Sequence, residues 1–278
     1  MSEPADEYDP MWELRVLYHD VLAYEGKDLY FGLLAPWLEK NGAAREWLLS
    51  FAQRRGEPIP PAQEWEIHAL YAVNRVNDLL LGGFQPATVS EWPNLPITLD
   101  EYVAFMTGLG FEVVDVTAYS PFYHEVMEVA QSDEDAAPVE LVSIVWPCLM
   151  LGCMLFSRAG VKVRSGRKRL SPVLAGSSTL YWAFCRRYRP CEDLSHGWGS
   201  NSQWRTEFRR DYRFGSQMYL NVDRAWDVSL GDKPGYSPSG LSLEERTELV
   251  IHRCFVTRSA SNEDPFPYVL SLNLTERE

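Results

Sequence analysis

The stretch TLDEYVAFMTGLGFEVVDVTAY, residues 98–119, decides the fold class. Thr98 followed three residues later by Glu101 is the reciprocal capping pattern that opens a helix, and the spacing predicts a helix to about Gly108. From Phe111 the pattern changes to β-branched residues, Val113, Val114, Val116 and Thr117, which suit a pleated strand. A helical period gives way to a strand period at this point, and the two sides of the chain follow suit.

Upstream, the segments read as helices. YDPMWELRVLYHDVLAYEG has Asp9 as N-cap and Pro10 at the first helical position, with Trp12, Val16 and Leu17 on one face. KDLYFGLLAPWLEKNG and AAREWLLSFAQRRG each end in glycine, and PPAQEWEIHALYAVNRVNDLLLGG runs about five turns to Gly82 and Gly83. Downstream, YHEVMEVAQ (123–131) alternates as a strand and CMLFSRAGVKVRSG reads as a strand with a turn near Gly160. Ser171–Pro172 opens a helix expected to run to Pro190, and QWRTEFRRDYRFGSQMYLNVD (203–223) reads as a hairpin turning at Gly215. Ser242 and Glu245 form a second capping box, and YVLSLNL (268–274) closes with a strand. Helices followed by strands mixed with helices predict an α+β fold, an N-terminal helical layer packed on a mixed, largely antiparallel sheet. Residues 1–95 form a mainly helical acidic region and 96–278 an α+β region, joined near EWPNLPIT into one compact unit.

Bulk properties exclude several classes. Hydrophobic residues at 46% and charged residues at 23% describe a globular chain rather than a disordered one. Five cysteines without CxxC spacing suggest reduced thiols, and the acidic start MSEPADEYDP lacks the apolar core of a signal peptide, so a cytoplasmic protein is expected. The uncharged run LVSIVWPCLMLGCMLF (141–156) is too short for a membrane span and is broken by Pro147 and Gly152, so it is expected in the core.

The net charge of −13 is unevenly placed: residues 1–157 hold 25 acids and 7 bases, residues 158–213 hold 13 bases and 4 acids. The acidic half favours a basic partner and opposes nucleic acid, although VKVRSGRKR (161–169) and RRYR (186–189) could meet phosphates. The basic middle could instead be neutralised by the chain's own acids.

No dinucleotide, P-loop, hydrolase-elbow, zincin or EF-hand motif is present, and the five histidines have no i,i+3 or i,i+4 pair. No cofactor or metal is expected. The densest polar segment is HGWGSNSQWRTEFRRDY, His196–Tyr212. An enzyme could use His196 as acid/base with Asp193 orienting it and an arginine stabilising negative charge, as in a hydrolase or transferase acting on an anionic substrate. His196, Arg205, Arg209, Arg210 and Arg213 could alternatively bind a small anionic ligand in a regulator or scaffold. The reading preferred on residue chemistry is structural: Gly197 and Gly199 ease the backbone around Trp198, and the arginines pair with carboxylates inside the fold.

At WPCLMLGCMLFSRAGVKVR (146–164) and LSHGWGSNSQWRTEFRRDY (194–212) the chain resembles an uncharacterised bacterial family of acidic proteins similar to the immunity partners of secreted polymorphic toxins. The resemblance covers about residues 110–225 and implies a binding protein without turnover that neutralises a basic toxin; it transfers no catalytic residue. The expected partner face is EWEIHALYAVNRVND, with Glu64, Trp65, Glu66, Tyr71 and Asp78 as contact residues.

Overall fold

The computed structural model describes residues 10–86, 92, 94–193, 204, 206–232, 234–235, 240–258 and 268–275. Helix α1 (Pro10–Leu22) buries Leu14, Leu17, Tyr18 and Val21, an i, i+3, i+4, i+7 stripe, against α4 (Glu64–Leu81). That stripe outcompetes the expected one, so Trp12 and Val16 are left 60% and 40% exposed. Asp9, the expected cap, lies outside the described residues. A π-helical turn, Tyr30–Leu34, leads into α2 (Ala35–Lys40), and α3 (Gly42–Ala52) follows. Helix α5 (Leu99–Gly108) has its capping box in place: Thr98 N donates to Glu101 Oε2 at 2.7 Å and Glu101 N to Thr98 Oγ1 at 3.3 Å.

Seven strands form the main sheet in the order β1 (Glu112–Val114), β4 (Cys148–Leu151), β5 (Met154–Ser157), β9 (Asp211–Phe214), β10 (Gln217–Leu220), β12 (Leu270–Thr275), β11 (Trp226–Asp227). Only β11 and β12 run parallel. In a second sheet, β6 (Ala159–Ser165) lies between β2 (His124–Gln131), parallel to it, and β3 (Glu140–Trp146), antiparallel. β7 (Leu180–Tyr181), which follows α6 (Pro172–Ser177), pairs in parallel with β8 (Cys191–Glu192). Helix α7 (Leu243–His252) keeps the Ser242–Glu245 capping box. The architecture is α+β, helices first and then a mostly antiparallel mixed sheet.

Strands β4 and β5 explain the uncharged run. Leu149, Leu151, Met154 and Phe156 enter the core shared with α1–α5, whereas Cys148, Met150 and Leu155 enter a second core with Val161, Val163, Leu220 and Leu272. Side chains alternate across a strand, and this sheet is covered on both faces, so neither face tolerates a charge. Among the described residues no helix is long and apolar enough to cross a membrane. The five cysteines are free thiols.

Three expectations are corrected. Gly160 is no turn: it sits inside β6, with the Trp146 ring packed over it. The helix expected over 171–189 stops at Ser177, because Arg186 and Arg189 are drawn into buried polar contacts that a continuous helix would not reach. The strand expected over 111–119 is paired only at Glu112–Val114.

Gly152 closes the β4–β5 turn at φ +61°, and a Cβ there would stand 2.1 Å from the Ala52 carbonyl oxygen at the end of α3. Gly152→Ala combines left-handed backbone strain with a clash against main chain, and is expected to lower stability by about 2–4 kcal/mol. The change is read as a lower urea midpoint at unchanged slope; an unmoved midpoint contradicts this packing of turn on helix.

Candidate functional site

Helix α4 is buried from Glu66 to Leu81, and Tyr71, Asn74 and Asp78 fall on one side of it at i, i+3 and i+7. Each polar group there must find a partner or carry a desolvation cost. Tyr71 Oη donates to Asp193 Oδ2 at 2.8 Å. Asp78 Oδ2 accepts from the backbone N–H of Phe184 at 2.6 Å and of Cys185 at 3.4 Å, while Oδ1 lies 2.8 Å from Arg186 Nη1. The same guanidinium forks onto Glu125 of β2, Nε to Oε1 at 2.8 Å and Nη2 to Oε2 at 3.0 Å, and Tyr188 Oη donates to Glu125 Oε1 at 2.5 Å. Burial pushes the Asp78 carboxyl up against the pull of Arg186. Burial would raise Glu125 too, but Arg186 and Tyr188 hold it below the usual range.

A second charged group lies across the cleft around Asp211 of β9. Oδ1 accepts from Arg209 Nε at 2.8 Å and Asn221 N at 2.7 Å, and Oδ2 from Arg253 Nη2 at 2.9 Å. The last turn of α7 supplies further acceptors. Arg209 Nη2 donates to Val250 O at 2.5 Å, Arg158 Nη2 to Ile251 O at 2.6 Å and Arg158 Nη1 to His252 O at 3.0 Å. Positive side chains at the carbonyl end of a helix are favourably placed. Three arginines around one carboxylate still leave a positive excess. Burial would raise Asp211, but Arg209, Arg253 and Arg158 bring it down to about 2. Burial, with Arg253 and Arg158 nearby, lowers Arg209 to about 9, and burial with Arg253 lowers Arg158 to about 10.

Trp182 borders two small cavities, with its backbone at φ +58° and the Arg209 guanidinium 4.4 Å from its ring centre. Both cavities are lined by Trp182 and Asn74. One adds Asp78, Glu125, Ser157, Arg158, Arg186 and Arg253; the other adds Tyr71, Asp193, Thr206, Glu207, Phe208 and Arg209. Each has a volume of about 10 Å³, room for one water.

The expected residues are distributed as follows. Of the expected partner face, Glu64 is exposed and Trp65 is half-buried with its ring centre 5.8 Å from that of Trp47. Glu66, Tyr71 and Asp78 are buried, Glu66 in an ion pair with Arg54, so α4 offers no continuous acidic face. The expected arginine set does not converge either. Arg209 joins Asp211. Arg210 pairs instead with Asp223, through Nε at 2.9 Å and Nη2 at 2.6 Å, and donates to Tyr212 Oη. Arg213 is half-buried, donates to Gly215 O and lies 5.1 Å from the Tyr123 ring centre. His196 and Arg205 lie outside the described residues. Asp193 and Arg209, two members of the expected catalytic trio, line the same cavity and are both buried. Trp204 packs edge-on against Tyr18, and Arg75 lies 4.2 Å from its ring centre.

Glu125, Arg158, Trp182 and Arg253 were not singled out from the sequence, and Arg186, expected in a phosphate-facing cluster, is instead buried between Asp78 and Glu125. Polar residues at helical spacing inside the otherwise apolar IHALYAVNRVNDLLL were the available signal for a buried polar stripe.

Comparison with known protein families, with curated proteins and with solved structures finds no match.

Arg186→Met strands two buried carboxylates and is expected to cost about 3–5 kcal/mol in urea unfolding. Adding Asp78→Asn and Glu125→Gln to that variant should recover part of the loss, since amides leave no buried charge; no recovery would contradict the pairing. A pH prediction follows from His252. Burial and the neighbouring Arg158 lower its pKa to about 3, so on acidification the unfolded chain takes up a proton near pH 6.5 that the folded chain refuses until about 3. The stability this group supports is present above pH 6.5 and falls by about 1.4 kcal/mol per unit below it, roughly 2 kcal/mol by pH 5. His252→Gln should flatten the stability profile between pH 6.5 and 5 by that amount, and parallel profiles would refute the assignment.

Proposed function

We propose that the protein is a binding protein without turnover, whose acidic exterior captures a basic macromolecular partner in the manner of an immunity protein neutralising a secreted bacterial toxin. The supporting observation is the partition of charge. Seven arginines and six carboxylates are among the buried residues, which leaves 33 acids against 19 bases on the remainder of the chain. Burial among the described residues thus removes nearly equal numbers of each sign, and the acidic excess of the chain lies outside the core. Such an excess speeds encounter with a basic protein and disfavours acidic competitors. The reading places the protein in the bacterial cytoplasm, where it would guard the cell that makes the toxin.

The outer stripe of α1 is the favoured contact face in place of α4. Trp12 and Val16 stand exposed one turn apart, with the exposed Asp20 a further turn on. Arg15 lies 5.5 Å from the ring centres of both Trp12 and the buried Trp204, so the exposed indole is braced against the body. A held, exposed tryptophan on a stripe that ends in Asp20 fits an interface hot spot on an acidic surface.

Co-expression with the product of the neighbouring gene tests the reading, with growth and binding as readouts. The chain should relieve growth arrest and bind the purified product with an on-rate that falls steeply as salt rises. Trp12→Ala should weaken binding by about 30-fold or more, a loss of at least ~2 kcal/mol. Asp20→Lys should act mainly on the on-rate. A neighbour that neither arrests growth nor binds overturns the reading, as does binding indifferent to salt.

A further inference from the structure

We propose that the cavity between Trp182 and β5 is a buried site for a single halide-sized anion, chloride in the cell, held by Arg158 and Arg253 with Ser157 and Asn74. The inference is independent of partner capture and rests on a shortage of acceptors. The carboxylates around the cleft are already engaged three times each: Asp78 takes two backbone N–H groups and Arg186, Glu125 takes Arg186 twice and Tyr188, and Asp211 takes two arginines and Asn221 N. Two guanidinium N–H groups of arginines that line this cavity, Arg158 Nε and Arg253 Nε, are buried with no acceptor. Buried donors without acceptors are costly, and more so when charged.

Charge and size narrow the ligand. Arg158, Arg186 and Arg253 line the cavity with Asp78 and Glu125, an excess of one positive charge when all are ionised. A monovalent anion cancels it. The volume of about 10 Å³ suits one small particle and favours a monatomic ion over phosphate, sulfate or an organic acid. A water would fit, but it brings two donors to a site already rich in donors. A halide ion is purely an acceptor and suits guanidinium, amide and hydroxyl donors together.

Thermal unfolding of the full chain in halide-free buffer, titrated with sodium chloride or sodium gluconate at constant ionic strength, tests the site. Chloride should raise Tm saturably, by about 2–5 °C at tenfold excess over Kd, while gluconate and phosphate should not. Bromide should replace chloride, and crystals grown in bromide should show an anomalous peak beside Ser157, Arg158 and Arg253. Arg253→Met should abolish the chloride response; if that variant does not fold, the bromide peak decides. Equal effects of chloride and gluconate, or a bromide-grown crystal without a peak in this cavity, overturn the proposal.

Discussion

The Arg186 guanidinium, held between Asp78 of the central helix and Glu125 of β2, is the constraint on which the rest of the arrangement depends. It ties α4 to the second sheet through residues 61 and 108 positions away from it in the chain. Taking three charged groups out of water costs several kcal/mol per ion before their attraction is counted, so the triad is a poor source of net stability. Its effect is on specificity. An apolar α4 could rotate or slide in a greasy groove, whereas a helix that must deliver Asp78 to two backbone N–H groups and one guanidinium has a single register. With that register set, Tyr71 reaches Asp193 and Asn74 reaches the cleft.

The two-sided sheet explains why polar chemistry is concentrated at one place. Strands β4 and β5 send apolar side chains into both cores, and only at their end does the chain turn polar, with Ser157 and Arg158. Arg158 cannot reach water from there and is met by the carbonyl end of α7, whose Ile251 and His252 oxygens accept its two Nη groups. Arg209 uses the preceding carbonyl, Val250, in the same way. One helix terminus thus serves two arginines, which are otherwise short of carboxylates.

Local signals were legible because they need no tertiary information. The capping boxes at Thr98–Glu101 and Ser242–Glu245 and the hairpin at Gly215 are set by bonds within a few residues, and all three are in place. The face of α4 was not legible in the same way. Glu64 and Glu66 look alike in sequence, but only Glu66 lies within reach of Arg54, which takes it into the interior. The arginines after Trp182 illustrate the same limit: RRYR has helical propensity, yet Glu125 and Asp78 lie far away in sequence and claim Arg186. Of the anticipated anion-binding set, Arg209 reaches Asp211. Its neighbours there, Arg158 and Arg253, come from segments whose positions only the tertiary fold brings together.

The charge partition joins exterior to interior without letting one compensate the other. Charges at the surface separated by more than about 8 Å are largely screened at physiological salt, so an acidic exterior cannot neutralise arginines buried beneath it. Inside, where the effective dielectric is lower, one unmatched guanidinium is felt by every neighbour. The interior therefore has to settle its own balance, through Asp211, the α7 carbonyls and whatever else can accept a hydrogen bond there. Moving arginines inward transfers the problem of their charge to a cleft with about one water's worth of space.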